Sequence, residues 1–154
     1  LVLNKKKLKV SDQIDLILDA QQALADERNV SITNHIDKEI SAKTDKDSFT
    51  TIFSNLINNS IKYSKDKGKV EIRAIDKKDT LILSISDDGQ GIEKQNLNKV
   101  FNRFYRTPKA RANTKGTGLG LALVKQLASR INAEVAVESK IGKGATFFVT
   151  FNTK

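Results

Sequence analysis

Apolar positions along this chain recur with two different periods, and the changes between them outline its elements. LKV at 8–10 reads as a short strand, and from Ser11, a good cap residue, a helix is predicted to run to about Glu27. VSITNHID (30–37) alternates instead: Val30, Ile32, Asn34 and Ile36 share one face, while His35 falls on the other beside Ser31 and Thr33. Between about Asp45 and Ser64 the period lengthens again. There Phe49, Ile52, Phe53, Leu56, Ile57 and Ile61 fill one broad arc of a helical wheel. Two extended runs follow, KVEIRAIDK (69–77) and TLILSISDD (80–88), joined by a polar turn at Lys78–Asp79. Residues 92–115 are irregular apart from a turn or two of helix at 94–101. Helical spacing returns over 118–131 in Leu119, Leu123, Val124, Leu127, Ala128 and Ile131. Strands EVAVES (134–139) and GATFFVTF (144–151), linked by KIGKG, close the pattern. There is no internal repeat and no domain-sized linker. Strands adjoin in the second half while helices interrupt the first, so the predicted class is α+β, a sheet covered on one face by helices.

Composition narrows the function classes. A length of 154 residues suits one domain with a sizeable core, and 38% hydrophobic with 29% charged residues is a globular balance. No apolar run approaches about 18 residues and no signal peptide opens the chain. The sequence begins at Leu1 and contains no methionine, so it is expected to be a piece of a longer protein. The absence of cysteine excludes disulfides, thiolate metal sites and cysteine catalysis. A net charge of +9 raises the question of nucleic acid. The lysines, however, are scattered, with short clusters at Lys5–Lys7, Lys65–Lys69 and Lys109–Lys115 and no regular interleaving of aromatics. A solvated basic surface accounts for them, and its field would favour a nucleotide polyphosphate.

Three stretches carry candidate chemistry. In KGTGLGLALVKQLASRI (115–131), Gly116, Gly118 and Gly120 leave main-chain N–H groups bare where a helix begins, which makes a natural anion site. A flexible linker is the plainer reading. Neither the G-x-G-x-x-G dinucleotide fingerprint nor the P-loop run occurs here. On the 45–64 helix, Asn55, Asn59 and Lys62 cluster at the margin of the apolar arc. Asparagine is a mediocre helix former, so NLINN is a local cost, explained either by a merely polar edge or by ligands. An amide oxygen suits Mg²⁺ shared with phosphates, and a lysine one turn on suits a phosphate oxygen. In TLILSISDD, alternation puts Asp87 in line with Leu81, Leu83 and Ile85 while Asp88 points the other way. A carboxylate ending an apolar row needs a partner, and the exocyclic amine of adenine is a fitting donor. A plain Asp-Gly turn is the alternative. His35, the sole histidine, has the setting of an exposed strand residue.

Taken in order over residues 55–121, NLINNSIKYS, DDGQG, FNRFYR and GTGLGL resemble the N, G1, F and G2 boxes of the histidine-kinase ATP-binding domain, and KIGKGATF (140–147) is similar to that family's last glycine box. The resemblance extends from about Leu8 to the end. It implies the Bergerat fold of the gyrase, chaperone and histidine-kinase superfamily: a two-layer α/β sandwich, its mixed sheet packed against helices, with ATP under a mobile lid at about 92–115. It also implies residues 1–7 as the end of a linker from a missing dimerisation and phosphoacceptor domain, and 8–154 as the catalytic domain.

Carried over residue by residue, the resemblance has Asn59 coordinate Mg²⁺, with Asn55 beside it, Lys62 near the phosphates and Tyr63 along the nucleotide. Asp87 would accept from the adenine amine, and Gly89 and Gly91 would admit the base, with Ile92 next to them. Arg106 would reach the γ-phosphate from FNRFYR, where Phe101 and Phe104 anchor the lid and Tyr105 contacts the nucleotide. Lys115, Gly116, Thr117, Gly118, Leu119, Gly120 and Leu121 would surround the phosphates, and Thr146 would hydrogen-bond near the adenine.

The resemblance further implies a cytoplasmic catalytic domain, of a dimeric parent that the family often anchors in the membrane. The domain would make no membrane contact, bind no nucleic acid, and donate the γ-phosphoryl to a histidine on a separate helical hairpin, with a response regulator downstream. The family's phosphoacceptor box is absent: the one Arg-Thr-Pro, residues 106–108, has no histidine near it, and His35 is followed by Ile36. Two relatives of the fold compete. ATP-hydrolysing clamps place a glutamate four residues before the metal-binding asparagine, where this chain has Asn55, which accepts no proton at working pH. A stand-alone anti-sigma serine kinase is disfavoured by FNRFYR.

Overall fold

The structure, a computed structural model, describes residues 3–102 and 120–152. Its elements are β1 (Lys5–Lys9), α1 (Val10–Glu27), β2 (Ser31–Asn34), β3 (Ser41–Asp45), α2 (Lys46–Tyr63), β4 (Lys69–Asp76), β5 (Thr80–Asp87), α3 (Gly120–Arg130), β6 (Ala133–Ser139) and β7 (Ala145–Asn152), with a 3-10 turn at Lys94–Asn96. Five strands form one sheet in the order β2-β4-β5-β7-β6. β2 runs parallel to β4 and the other neighbours are antiparallel, so the sheet is mixed. β1 and β3 make a separate antiparallel ribbon.

Alternation decides which face is covered. Val70 and Ile72, then Leu81, Leu83 and Ile85, then Phe147, Val149 and Phe151 are all buried on one side of the sheet. Registers Ile85↔Phe147, Leu83↔Val149 and Leu81↔Phe151 align those rows across neighbouring strands. Against them lies the apolar arc of α2, with Phe49, Ile52, Phe53, Leu56, Ile57 and Ile61 wholly buried, flanked by Ile14 and Ile17 of α1 and Val124 and Ala128 of α3. Phe49 and Phe53 stack towards Phe151, with ring centroids 4.5–6.2 Å apart. Each such side chain contributes about 1.5–3 kcal/mol on burial. α2 is thus the central helix of the layer. A polar seam ties α1 to it: Gln13 Nε2 donates to Thr50 Oγ1 at 3.0 Å, and Gln21 Nε2 to the Ser54 carbonyl at 2.8 Å. The opposite sheet face carries half-buried Ser84, Ser86, Thr146 and Thr150 and exposed Glu134 and Glu138. The expected two-layer α+β sandwich is present. Among the described residues no helix is long and apolar enough to cross a membrane.

Four local points of the sequence reading need correction. The first strand begins at Lys5, inside the stretch expected to be linker, and Val10 belongs to α1. Ser11 does not cap that helix; it is buried in the first turn, Lys9 occupies the cap position without a side-chain bond, and Val10 N donates to the Ile40 carbonyl at 3.2 Å. Strand β3, SAKTD, went unrecognised because its only buried apolar side chain is Ala42. The helical stretch foreseen at 94–101 is a 3-10 turn limited to Lys94–Asn96.

β3 runs straight into α2, and the junction is held by Asp45. Its Oδ2 accepts from Ser48 N (2.9 Å) and Ser48 Oγ (2.7 Å), and its Oδ1 from Asn4 N (2.9 Å). These bonds, led by the Asn4 N–H and then Ser48, hold the carboxyl below its usual range. Asp45→Ala should therefore cost about 1–2 kcal/mol in urea unfolding at neutral pH. A depressed folded-state pKa means stability that is complete above the unfolded value of 3.8 and lost as pH falls through the folded one. The gap between wild type and variant should narrow below about pH 4.

Candidate nucleotide site

Two elements and one turn converge at the C-terminal ends of α2 and β5. Along the edge of α2 beside α3, Asn55, Asn59, Lys62 and Tyr63 are half-buried, where the apolar arc of the helix gives way to solvent. Asn55 bonds back within the helix, Nδ2 to the Thr51 carbonyl at 2.8 Å, and its Oδ1 lies where a side chain at Gly120 would come to 3.0 Å. The start of α3, with Gly120 and half-buried Leu121, is therefore pressed against the asparagine edge.

Asp87 ends the buried row of β5, on the same sheet face as Ile85 and opposite Val70 of β4. Its Oδ1 accepts from Gly89 N at 2.9 Å and Ala145 N at 3.3 Å. No donor among the described residues reaches Oδ2. Burial pushes the carboxyl up to about 6; the N–H groups of Gly89 and Ala145 oppose this, and the charge of Asp88 adds to it.

The turn after Asp87 is clamped from both sides. A Cβ on Gly89 would overlap the Tyr63 carbonyl, so only glycine lets the turn lie against the end of α2. Gly91 has φ +79°, and a side chain there would strike the Lys140 carbonyl. The β6–β7 loop closes on the other side. Gly142 N donates to the Gln90 carbonyl (2.8 Å), Ile92 N to Ser139 Oγ (2.7 Å), and Ser139 Oγ to the Gly144 carbonyl (2.7 Å). Ile92 packs on the core, and Phe101 meets Phe147 edge-on at 6.1 Å. The chain is thereby returned to the core just before residue 103.

The fold brings together Asn55, Asn59, Lys62 and Tyr63 on α2, Asp87, Gly89, Gly91 and Ile92 in the turn, and Gly120 and Leu121 on α3. Phe104, Tyr105, Arg106, Lys115, Gly116, Thr117, Gly118 and Leu119 lie outside the described residues, as does most of the expected lid. Thr146 is not brought to Asp87. It sits opposite Ser86, their hydroxyls 2.5 Å apart, on the sheet face turned away from the helices. The neighbouring backbone N–H of Ala145 reaches Asp87 instead. That donor, like Ser139, gave no side-chain signal in the sequence. His35 lies on the open face, its Nε2 2.9 Å from Glu71, which also pairs with Arg73. No group of three acidic, histidine or cysteine side chains able to hold a metal occurs among the described residues. An ion at Asn59 would then draw most of its ligands from phosphate and water, which fits a lone neutral amide.

Residues 44–154 match the family model described as histidine kinase-, DNA gyrase B-, and HSP90-like ATPase. The chain belongs to that family. Among curated relatives, the sensor histidine kinase WalK of Bacillus subtilis is 33% identical over 98% of this chain, and the phosphate regulon sensor protein PhoR of Pseudomonas aeruginosa 36% over 96%. The chain spans 25% and 34% of those two relatives. A solved structure of full-length ShkA in complex with AMPPNP shares the fold, with a TM-score of 0.87 at 22% identity over 100% of this chain and 32% of that one. The ATPase family accounts for the architecture: an ATP-binding catalytic domain of the sensor histidine kinase type.

Proposed function

We propose that this domain binds Mg·ATP in the cleft between α2, α3 and the Asp87 turn and donates its γ-phosphoryl to a histidine on a helical hairpin of the same parent kinase. A response regulator then receives the group. The observation that carries the reading is the carboxylate of Asp87, half-buried at the end of an apolar row, its one oxygen anchored by two N–H groups and its other without a donor among the described residues. A site that desolvates a carboxylate and sets no cation against it among the described residues selects a neutral N–H donor, and the adenine amine is one.

The division of labour follows from position. Asp87 accepts from the base, and the clamped turn fixes the base's depth. Asn59 and Lys62, on the same edge of α2, would hold the triphosphate end, Asn59 as a ligand of a Mg²⁺ ion that would supply charge neutralisation there. Arg106 and the N–H groups of 116–120 complete the set around the γ-phosphate. The acceptor imidazole nitrogen forms the new bond to γ-phosphorus as the bridging oxygen leaves with ADP, so the protein's work is positioning and charge stabilisation. Asn55 stands where water-activating relatives carry a carboxylate, and an amide takes no proton from water. Transfer to an external nucleophile is favoured over hydrolysis, and the clamp ATPase reading predicts the reverse.

In calorimetry, Asp87→Asn should weaken ATP binding by roughly 10- to 100-fold, the value of a charged hydrogen bond of about 1.5–3 kcal/mol. Wild-type affinity should rise with pH through about 6, because the ionised carboxylate is the stronger acceptor for the amine, and level off above it. Undiminished binding by Asp87→Asn would reduce Asp87 to a turn residue. Function itself is tested by label transfer from ATP to the separately supplied hairpin. Arg106→Ala should slow transfer by about 10²-fold with little change in ATP affinity, since that contact strengthens as charge develops. His35→Ala should change neither. Steady-state phosphate release near ~1 s⁻¹ without the hairpin would favour the clamp instead.

A further inference from the structure

Strand alternation turns Asp88 away from the cleft, and its carboxylate reaches the loop after α2. Oδ2 accepts from Lys69 N, the first residue of β4, at 3.0 Å. Oδ1 is buried, has no partner among the described residues, and fills the space beside Gly68, where a Cβ would come within 2.5 Å of it. That loop is itself braced: Gly68 N donates to the Lys65 carbonyl (2.9 Å), and the Gly68 carbonyl accepts from Ser31 N (3.0 Å). Asp88 therefore straps the segment leaving α2 to the turn whose next residue, Gly89, lies against the Tyr63 carbonyl. It stands at the joint between the two halves of the cleft, the α2 edge and the Asp87 turn.

We propose that Asp88 is a positioning residue of the nucleotide site, its carboxylate fixing the spacing between the end of α2 and the Asp87–Gly91 turn. The proposal rests on the reading of Asp87 as the acceptor for adenine. An asparagine would make the same bond to Lys69 N–H without a charge, so the carboxylate has a second consequence. Burial is the main force against ionisation of Asp87, and the negative charge of Asp88 acts in the same direction. The other ionisable groups on the bordering elements include Lys62 and Tyr63 of α2, Lys65, Asp66 and Lys67 of the loop, Lys69 and Glu71 of β4, and Lys140 and Lys143 of the β6–β7 loop. Among the described charges, that of Asp88 is the one that acts on Asp87, as the smallest of the causes and in the same direction as burial.

The test is Mg·ATP affinity by calorimetry, from about pH 5 to about pH 8, for the full chain and for Asp88→Asn, Asp88→Ala and Asp87→Asn. Asp88→Asn should keep the plateau affinity within about threefold while moving the midpoint, near 6 in the wild type, lower by a few tenths of a pH unit. Asp88→Ala, which loses the strap, should lower the plateau about tenfold. A merely structural role would not move the midpoint. Asp88→Asn with the wild-type midpoint, or Asp88→Ala with the wild-type plateau, overturns the proposal while a weak-binding Asp87→Asn leaves the acceptor reading standing. Wild-type binding by Asp87→Asn overturns both.

Discussion

A carboxylate at the end of an apolar strand row is the constraint around which this domain is arranged. Asp87 follows Leu81, Leu83 and Ile85 on the face of β5 that α2 covers, so the fold that buries those side chains also desolvates Asp87. Folding raises its pKa from 3.8 to about 6. A raised acid pKa means that the folded state holds the proton more tightly, so this group's contribution to stability declines as pH climbs from about 4 to about 6. At neutral pH the free domain carries that cost, and a ligand that donates to the carboxylate relieves it. The backbone N–H groups of Gly89 and Ala145 reduce the cost without removing it, because both end on the same oxygen.

From this follows the need for a turn that stays put. A half-satisfied, partly buried carboxylate is useful only if the space beside it keeps its shape, and the turn is fixed at both sides. Its floor is the end of α2, at the Tyr63 carbonyl, and its other wall is the β6–β7 loop, bonded through Gln90, Ile92 and Ser139. α2 serves both the core and the site. Its apolar arc, closed by the Phe49, Phe53 and Phe151 rings, is the centre of the core, and its margin carries Asn55, Asn59 and Lys62. The site is therefore as rigid as the packing beneath it.

Much of this was legible in the sequence because burial and chemistry share one period. The arc of α2 and the row of β5 each run directly into candidate site residues, so the pattern that located the core also singled out Asn59 and Asp87. What escaped was carried by backbone or by unassertive side chains. β3 has too little apolar content to announce itself, and the Asp45 clasp binds through main-chain N–H groups and a serine. Ser11 looked like a cap because serine favours that position, yet β1 leads into Val10 without a break and the serine is carried into the helix. Thr146 was assigned to the adenine by resemblance, whereas alternation in GATFFVTF had already put it on the face opposite Phe147. The residue that reaches Asp87 is Ala145, through its N–H.

The central claim, that Asp87 is a desolvated acceptor completed by the adenine amine, is tested most directly by titrating its carboxyl carbon by NMR in the free domain and with saturating ADP. The account predicts a free-state pKa near 6 that falls on binding, because a donor to the ionised form favours it. A carboxyl that titrates near the ordinary value of 3.8 in the free domain, or one unmoved by nucleotide, would contradict it.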